Sequence, residues 1–206
     1  MKLFTTALAL LVTLGLWAQD EELTQYTVKS GHIEYTMSGS TKGTRSLWWD
    51  DFGDKSYEET NATTVIKMFG MENKEVVHNV TITVGDKYWS ANLLDNTGES
   101  GTYDYKDAAD AIAKSMTEEE AKKLEQQMLD ALNGEKLGKE TFLGKSCEVL
   151  QILGTNKIWV YKGIALKTNA QIMGIVANEA ATKFEENISV PSSKFTPLKT
   201  ISYTAQ

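Results

Sequence analysis

The sequence predicts an α+β protein: a long curved antiparallel sheet with two or so central helices packed on its concave face. Three observations lead there. Apolar and polar residues alternate with period two through much of the first half; strand-like segments follow one another across Gly, Asn and Asp punctuation; and a single block of helical periodicity sits in the middle. A parallel sheet would need a crossover of about a dozen residues between successive strands, and none is present there.

The first element is not part of that fold. Lys2 is followed by sixteen uncharged, mostly apolar residues that end at Ala18-Gln19. This reads as a cleavable secretory signal peptide over residues 1–18, leaving 19–206 as one domain in the periplasm or outside the cell. The run is shorter than the roughly 20 apolar residues a membrane-spanning helix needs.

Strands come next. Ile33, Tyr35 and Met37 alternate with His32, Glu34 and Thr36, while Val76, His78, Val80, Ile82 and Val84 oppose Val77, Asn79, Thr81 and Thr83. Such alternation marks antiparallel strands with one wet side. Residues 44–50, 57–66, 87–94 and 101–105 are further β-rich stretches. Ala108, Ala109, Ile112, Ala113 and Met116 then recur at helical spacing. Thr117 and Glu120 form a capping box for a second helix, striped by Ala121, Leu124, Met128, Ala131 and Leu132 and stopped by Asn133-Gly134. Strands resume over 135–142, 145–153, 157–162 and 164–176, with a last one reaching Val190. A sheet this long must coil because strands twist, so the helices are the expected cover of its concave face.

Composition excludes several functions. The formal charge is -7, and loss of Lys2 with the signal takes it to -8. Arg45 is the only arginine and the lysines lie scattered among carboxylates, so nucleic acid and anionic membranes are poor partners. No stable membrane insertion is expected. Cys147, the sole cysteine, has no disulfide partner in its own chain and reads as a buried structural thiol. His78, among Val and Ile, reads as a core histidine, and His32, on a polar face, as a solvated one. Two histidines do not make a three-ligand zinc site. Asp50, Asp51, Asp54, Glu58 and Glu59 read as a solvated hairpin tip, since their spacing is not that of an EF-hand. No phosphate loop, dinucleotide fingerprint or Ser-His-Asp set appears. The expectation is a protein without catalytic residues, metal or cofactor.

At Gly144-Lys-Ser-Cys147, Lys157-Ile-Trp-Val-Tyr-Lys-Gly-Ile-Ala-Leu-Lys167 and Pro191-Ser-Ser-Lys-Phe195 the chain resembles a family of exported Gram-negative proteins of unknown function. Their fold is similar to that of the LolA/LolB lipoprotein carriers. The resemblance implies an incomplete barrel wrapped around helices, with a hydrophobic space between them that receives acyl chains. Its motifs fall in the C-terminal third.

Bulky, adaptable apolar side chains would line such a space: Trp48, Met68, Trp89, Met128, Trp159 and Met173. Each acyl methylene withdrawn from water is worth about 0.8 kcal/mol. The expected function is binding of a lipid or lipid-modified protein, with helix movement about Asn133-Gly134 or residues 115–117 admitting it. The alternative is an envelope protein-protein interaction or assembly module without a lipid ligand.

Overall fold

The alternating segments pair into one sheet in the computed structural model, which describes residues 24–68, 70–104, 111, 115–172 and 175–206. The strands are β1 (Gly31–Gly39), β2 (Thr41–Asp50), β3 (Lys55–Met68), β4 (Met71–Val84), β5 (Lys87–Asn92) and β6 (Thr97–Thr102). After them come helix α1 (Glu118–Ala131) and strands β7 (Glu135–Phe142), β8 (Lys145–Ile152), β9 (Asn156–Tyr161), β10 (Ile164–Ile172), β11 (Ile175–Glu186) and β12 (Ser202–Ala205). Their order across the sheet is β12-β6-β5-β4-β3-β2-β1-β11-β10-β9-β8-β7. Pairing is antiparallel throughout except between β12 and β6. The sheet is open: β7 and β12 are its two ends.

Several expectations are corrected. Residues 164–176 do not form one strand; β10 folds back on β11 with Ile172 opposite Ile175. The strand placed at 101–105 is β6, a few residues earlier, and a short C-terminal strand unmarked by alternation, β12, lies beside it. Of the two expected helices the second is α1, and the first falls mostly outside the described residues. Among the described residues α1 is the one α-helix with a full range; from Ala108 to Met116 only 111, 115 and 116 are described. Helix α1 is not central: its Leu129 packs on Ile152 of β8 and Ile158 of β9, near one end of the sheet. Its buried stripe is narrow, with Ala121 and Leu129 buried and most other positions exposed, so it covers little more than two strands. The helix ends are as expected. The Thr117 hydroxyl accepts from the Glu120 N–H, and Asn133 takes the left-handed conformation, φ 46°, that stops the helix.

The core lies on both faces of the sheet. One cluster joins Ile33, Tyr35, Leu47 and Trp49 to Cys147, Val149, Trp159 and Leu166, covered by Tyr26 and Val28 of the N-terminal segment. A second joins Tyr57, Val80, Ile82 and Ala91 to Trp48 and Trp89, covered by Leu198 and Ile201. Trp48 and Trp49 are neighbours in β2, so they point to opposite faces and each anchors one cluster. Trp49 is fully buried and donates its indole N–H to the Val28 carbonyl at 2.9 Å. Gly31 stands opposite Trp49, and a Cβ there would lie 2.2 Å from the indole ring. Glycine is what lets that ring cross β1.

Candidate functional site

Irregular chain covers both apolar faces. Residues 24–30 are tied by backbone bonds to Phe52 and Lys162, whereas the cover of the second cluster bonds mostly to itself, which makes that cluster the candidate site. Tyr57 faces Ile82 across the β3–β4 ladder and Ile82 faces Trp89 across β4–β5, which lays a row of large side chains on one face. Over it runs a strap, residues 191–201, that contains a short 3-10 turn (Ser192–Phe195) and leads into β12. The strap's backbone bonds are mostly its own: the Lys194 N–H donates to the Pro191 carbonyl at 2.9 Å and the Ile201 N–H to the Leu198 carbonyl at 3.2 Å. Leu198 N–H donates to the Tyr203 hydroxyl at 3.2 Å.

Polar groups border this face. Lys194 Nζ stands 5.0 Å from the Trp48 ring centre and 4.3 Å from that of Tyr57. The Tyr57 hydroxyl donates to Glu59 Oε2 at 2.8 Å, and Glu59 Oε1 meets His78 Nε2 at 2.9 Å. That histidine bond, with the tyrosine hydroxyl, holds Glu59 below the usual carboxylate range. Burial drives the Tyr57 phenol upward, so it stays protonated and donating.

His32 corrects its sequence reading. It is not solvated but 4% exposed, stacked on Trp48 at 3.7 Å between ring centres. Nε2 lies 3.1 Å from Ser46 Oγ and Nδ1 3.4 Å from Glu185 Oε2. Burial lowers its pKa, against the pull of Glu185 and Glu34. His78 is corrected too: its partner is the Glu59 carboxylate and it is partly exposed, so it is no core histidine. Alternation identified the faces of both residues but not which face the strap and the Trp48 ring would cover.

Of the six expected lining residues, the fold brings Trp48 and Trp89 together in this cluster. Trp159 belongs to the first cluster, on the other side, and donates its indole N–H to Glu140 Oε2 at 2.7 Å. Met128 is half-buried on α1. Met68 ends β3, its side chain outside the described residues, as is Met173. Tyr57 and Lys194 were missed as site residues; the strap was marked in the sequence only by the Pro191-Ser-Ser-Lys-Phe195 motif, which gave no sign of what it covers.

The remaining chemistry-bearing groups are structural. Arg45 donates to Glu179 from Nε and a terminal nitrogen at 2.8 and 2.5 Å and to Glu58 at 2.9 Å, with its guanidinium 4.0 Å over the Tyr35 ring. The acidic patch is dispersed: Asp50 caps the Asp51 N–H, and the adjacent Glu58 and Glu59 go to Arg45 and His78. Among the described residues no group of His, Cys, Asp and Glu is arranged to hold a metal. Cys147 is fully buried and burial raises its thiol pKa. A cleft of about 500 Å³ at the far end of β1–β3 is lined by Gly39, Ser40, Lys42, Thr63, Val65 and Lys67.

No protein-family model and no curated protein matches the chain. Solved structures do. An uncharacterised conserved protein from Thermus thermophilus is 10% identical, with a TM-score of 0.53 over 87% of this chain and 92% of that one. PNGF-II, in two crystal forms, is 11% and 10% identical with TM-scores of 0.45 and 0.44, and the match spans 31% and 32% of its length. The Thermus protein shares the fold over nearly its whole length.

Proposed function

We propose that this protein is exported and binds hydrocarbon-bearing ligands, a lipid or a lipid-modified protein, between the aromatic face of β2–β5 and the strap. One observation carries the reading: a row of large apolar side chains is covered by a segment whose backbone bonds are mostly its own. Lifting such a cover breaks side-chain contacts but few ladder bonds. An acyl chain entering beneath it replaces those contacts at about 0.8 kcal/mol per methylene.

Assembly by strand addition is the weaker reading. The free edge of β7 is interrupted by a bulge at Lys136/Gly138 and is rich in charge, while β12 is only four residues long. Charged side chains and bulges are how edges avoid pairing with another chain.

The test is delipidation followed by titration with a fluorescent fatty acid, beside native mass spectrometry of gently purified protein. Saturable 1:1 uptake, weakened at least tenfold by Trp89→Ala, is expected. No co-purifying lipid and no uptake would hand the function to the assembly module. Amino-terminal sequencing of exported protein is expected to begin near Gln19.

A further inference from the structure

Lys194 is a half-buried ammonium with no carboxylate within ion-pair distance among the described residues; it stands over the Trp48 and Tyr57 rings at 5.0 and 4.3 Å and is attracted by the charge of Glu59. Attraction to a ring's π face holds a cation within about 6 Å of its centre, and Trp is the strongest such ring. Glu59, a carboxylate on this face, takes one bond on each oxygen, from Tyr57 and from His78. It borders the rings with negative charge, while the rings themselves offer a cation no hydrogen-bond acceptor. Two π faces with a carboxylate beside them suit a cation held by its charge rather than by hydrogen bonds. His32, stacked on Trp48, and Glu59, bonded to Tyr57, hold both rings in place.

We propose that Trp48, Tyr57 and Glu59 form a binding site for a quaternary or methylated ammonium group, occupied in this state by the chain's own Lys194. The lysine is an internal stand-in that a ligand displaces as the strap lifts. The inference rests on the strap-covered face proposed above and names the headgroup it would take. That group could belong to a choline-headed lipid or to a free alkylammonium; both share the chemistry.

The site is tested by Lys194→Met, which keeps an unbranched apolar stem and removes the charge. Choline chloride is titrated calorimetrically into the parent, into K194M and into K194M carrying Trp48→Ala. K194M is expected to bind choline at least tenfold more tightly than the parent, and loss of Trp48 to return it to the parent level. Dihexanoyl-phosphatidylcholine below its micellar concentration separates the sources: tighter than choline identifies a lipid headgroup, equal identifies a free ammonium. If hydrogen exchange shows that K194M loosens residues 191–201, Lys194→Gln replaces it. Choline binding no tighter in either variant than in the parent, or binding indifferent to Trp48, overturns the proposal. Fatty-acid uptake without choline binding sinks the ammonium site alone; choline binding without fatty-acid uptake sinks the carrier alone.

Discussion

Two residues set the chemistry at the smallest scale, and both are buried charges or near-charges. Burial lowers the pKa of His32 from 6.5, so the unfolded chain takes up its proton first. Its contribution to stability is therefore complete above the unfolded value and is lost as pH falls from about 6.5 toward the folded pKa. The lowered carboxylates Glu59 and Glu185 act in the same direction but below 4.5, which separates the windows. Urea midpoints at pH 7.5 and 5.5 are expected to drop for the parent and to drop less for His32→Gln; equal drops would place the proton elsewhere. Arg45 is the second case. Removing it strands Glu179, itself 8% exposed, so Arg45→Ala is expected to cost about 3–5 kcal/mol in urea unfolding. Neither role was legible beforehand. A single arginine in an acidic chain gives no sign that it faces two carboxylates, since Glu58 and Glu179 are 13 and 134 positions away. Cys147 was legible because one alternating strand placed it with Val149 on an apolar side.

Local signals decide elements wherever the chain closes on itself within a few residues. The capping box at Thr117 is formed as the sequence implies, with the Thr117 N–H also donating to Glu120 at 2.8 Å. Thr117→Ala should cost about 1 kcal/mol, read from thermal unfolding. The turn joining β7 to β8 shows the opposite. Leu143 and Gly144 have φ of 48° and 71°, the two-residue pattern that favours Asn-Gly, yet a leucine occupies the first position. Leucine in the left-handed region is strained by about 1–2 kcal/mol, and Leu143 is exposed, so it recovers little by burial. Leu143→Asn should stabilise the protein by about 1 kcal/mol in urea unfolding; an unchanged midpoint would mean the leucine is held by contacts that offset the strain. Strand alternation was equally readable, which is why β1, β4 and β8 fall where expected. What escaped was pairing that depends on distant chain. Four residues, Ser202–Ala205, carry no periodic signal of their own and become a strand only because β6 offers an edge.

At the scale of the whole molecule, the two larger of three apolar clusters lie on opposite faces of the sheet. Trp48 and Trp49 are the joint: one strand position apart, they serve opposite faces. The first cluster is sealed by residues 24–30, tied by the Tyr26 N–H to the Phe52 carbonyl at 3.0 Å and the Thr27 N–H to the Lys162 carbonyl at 3.3 Å. The second depends on Leu198, Ile201 and Lys194 of the strap, so the two should open separately. Ending the chain at residue 190 removes the strap and β12 and uncovers Trp48 and Trp89, while Trp49 and Trp159 keep their cover. The truncated protein is expected to retain its β-sheet circular dichroism and slow amide exchange in β8–β11. Its tryptophan emission should shift to the red, and it should bind more of an apolar dye than the full chain does. Loss of exchange protection across the whole sheet would instead mean that the faces fold as one unit. A strap could not then lift to admit a ligand without unfolding the protein beneath it.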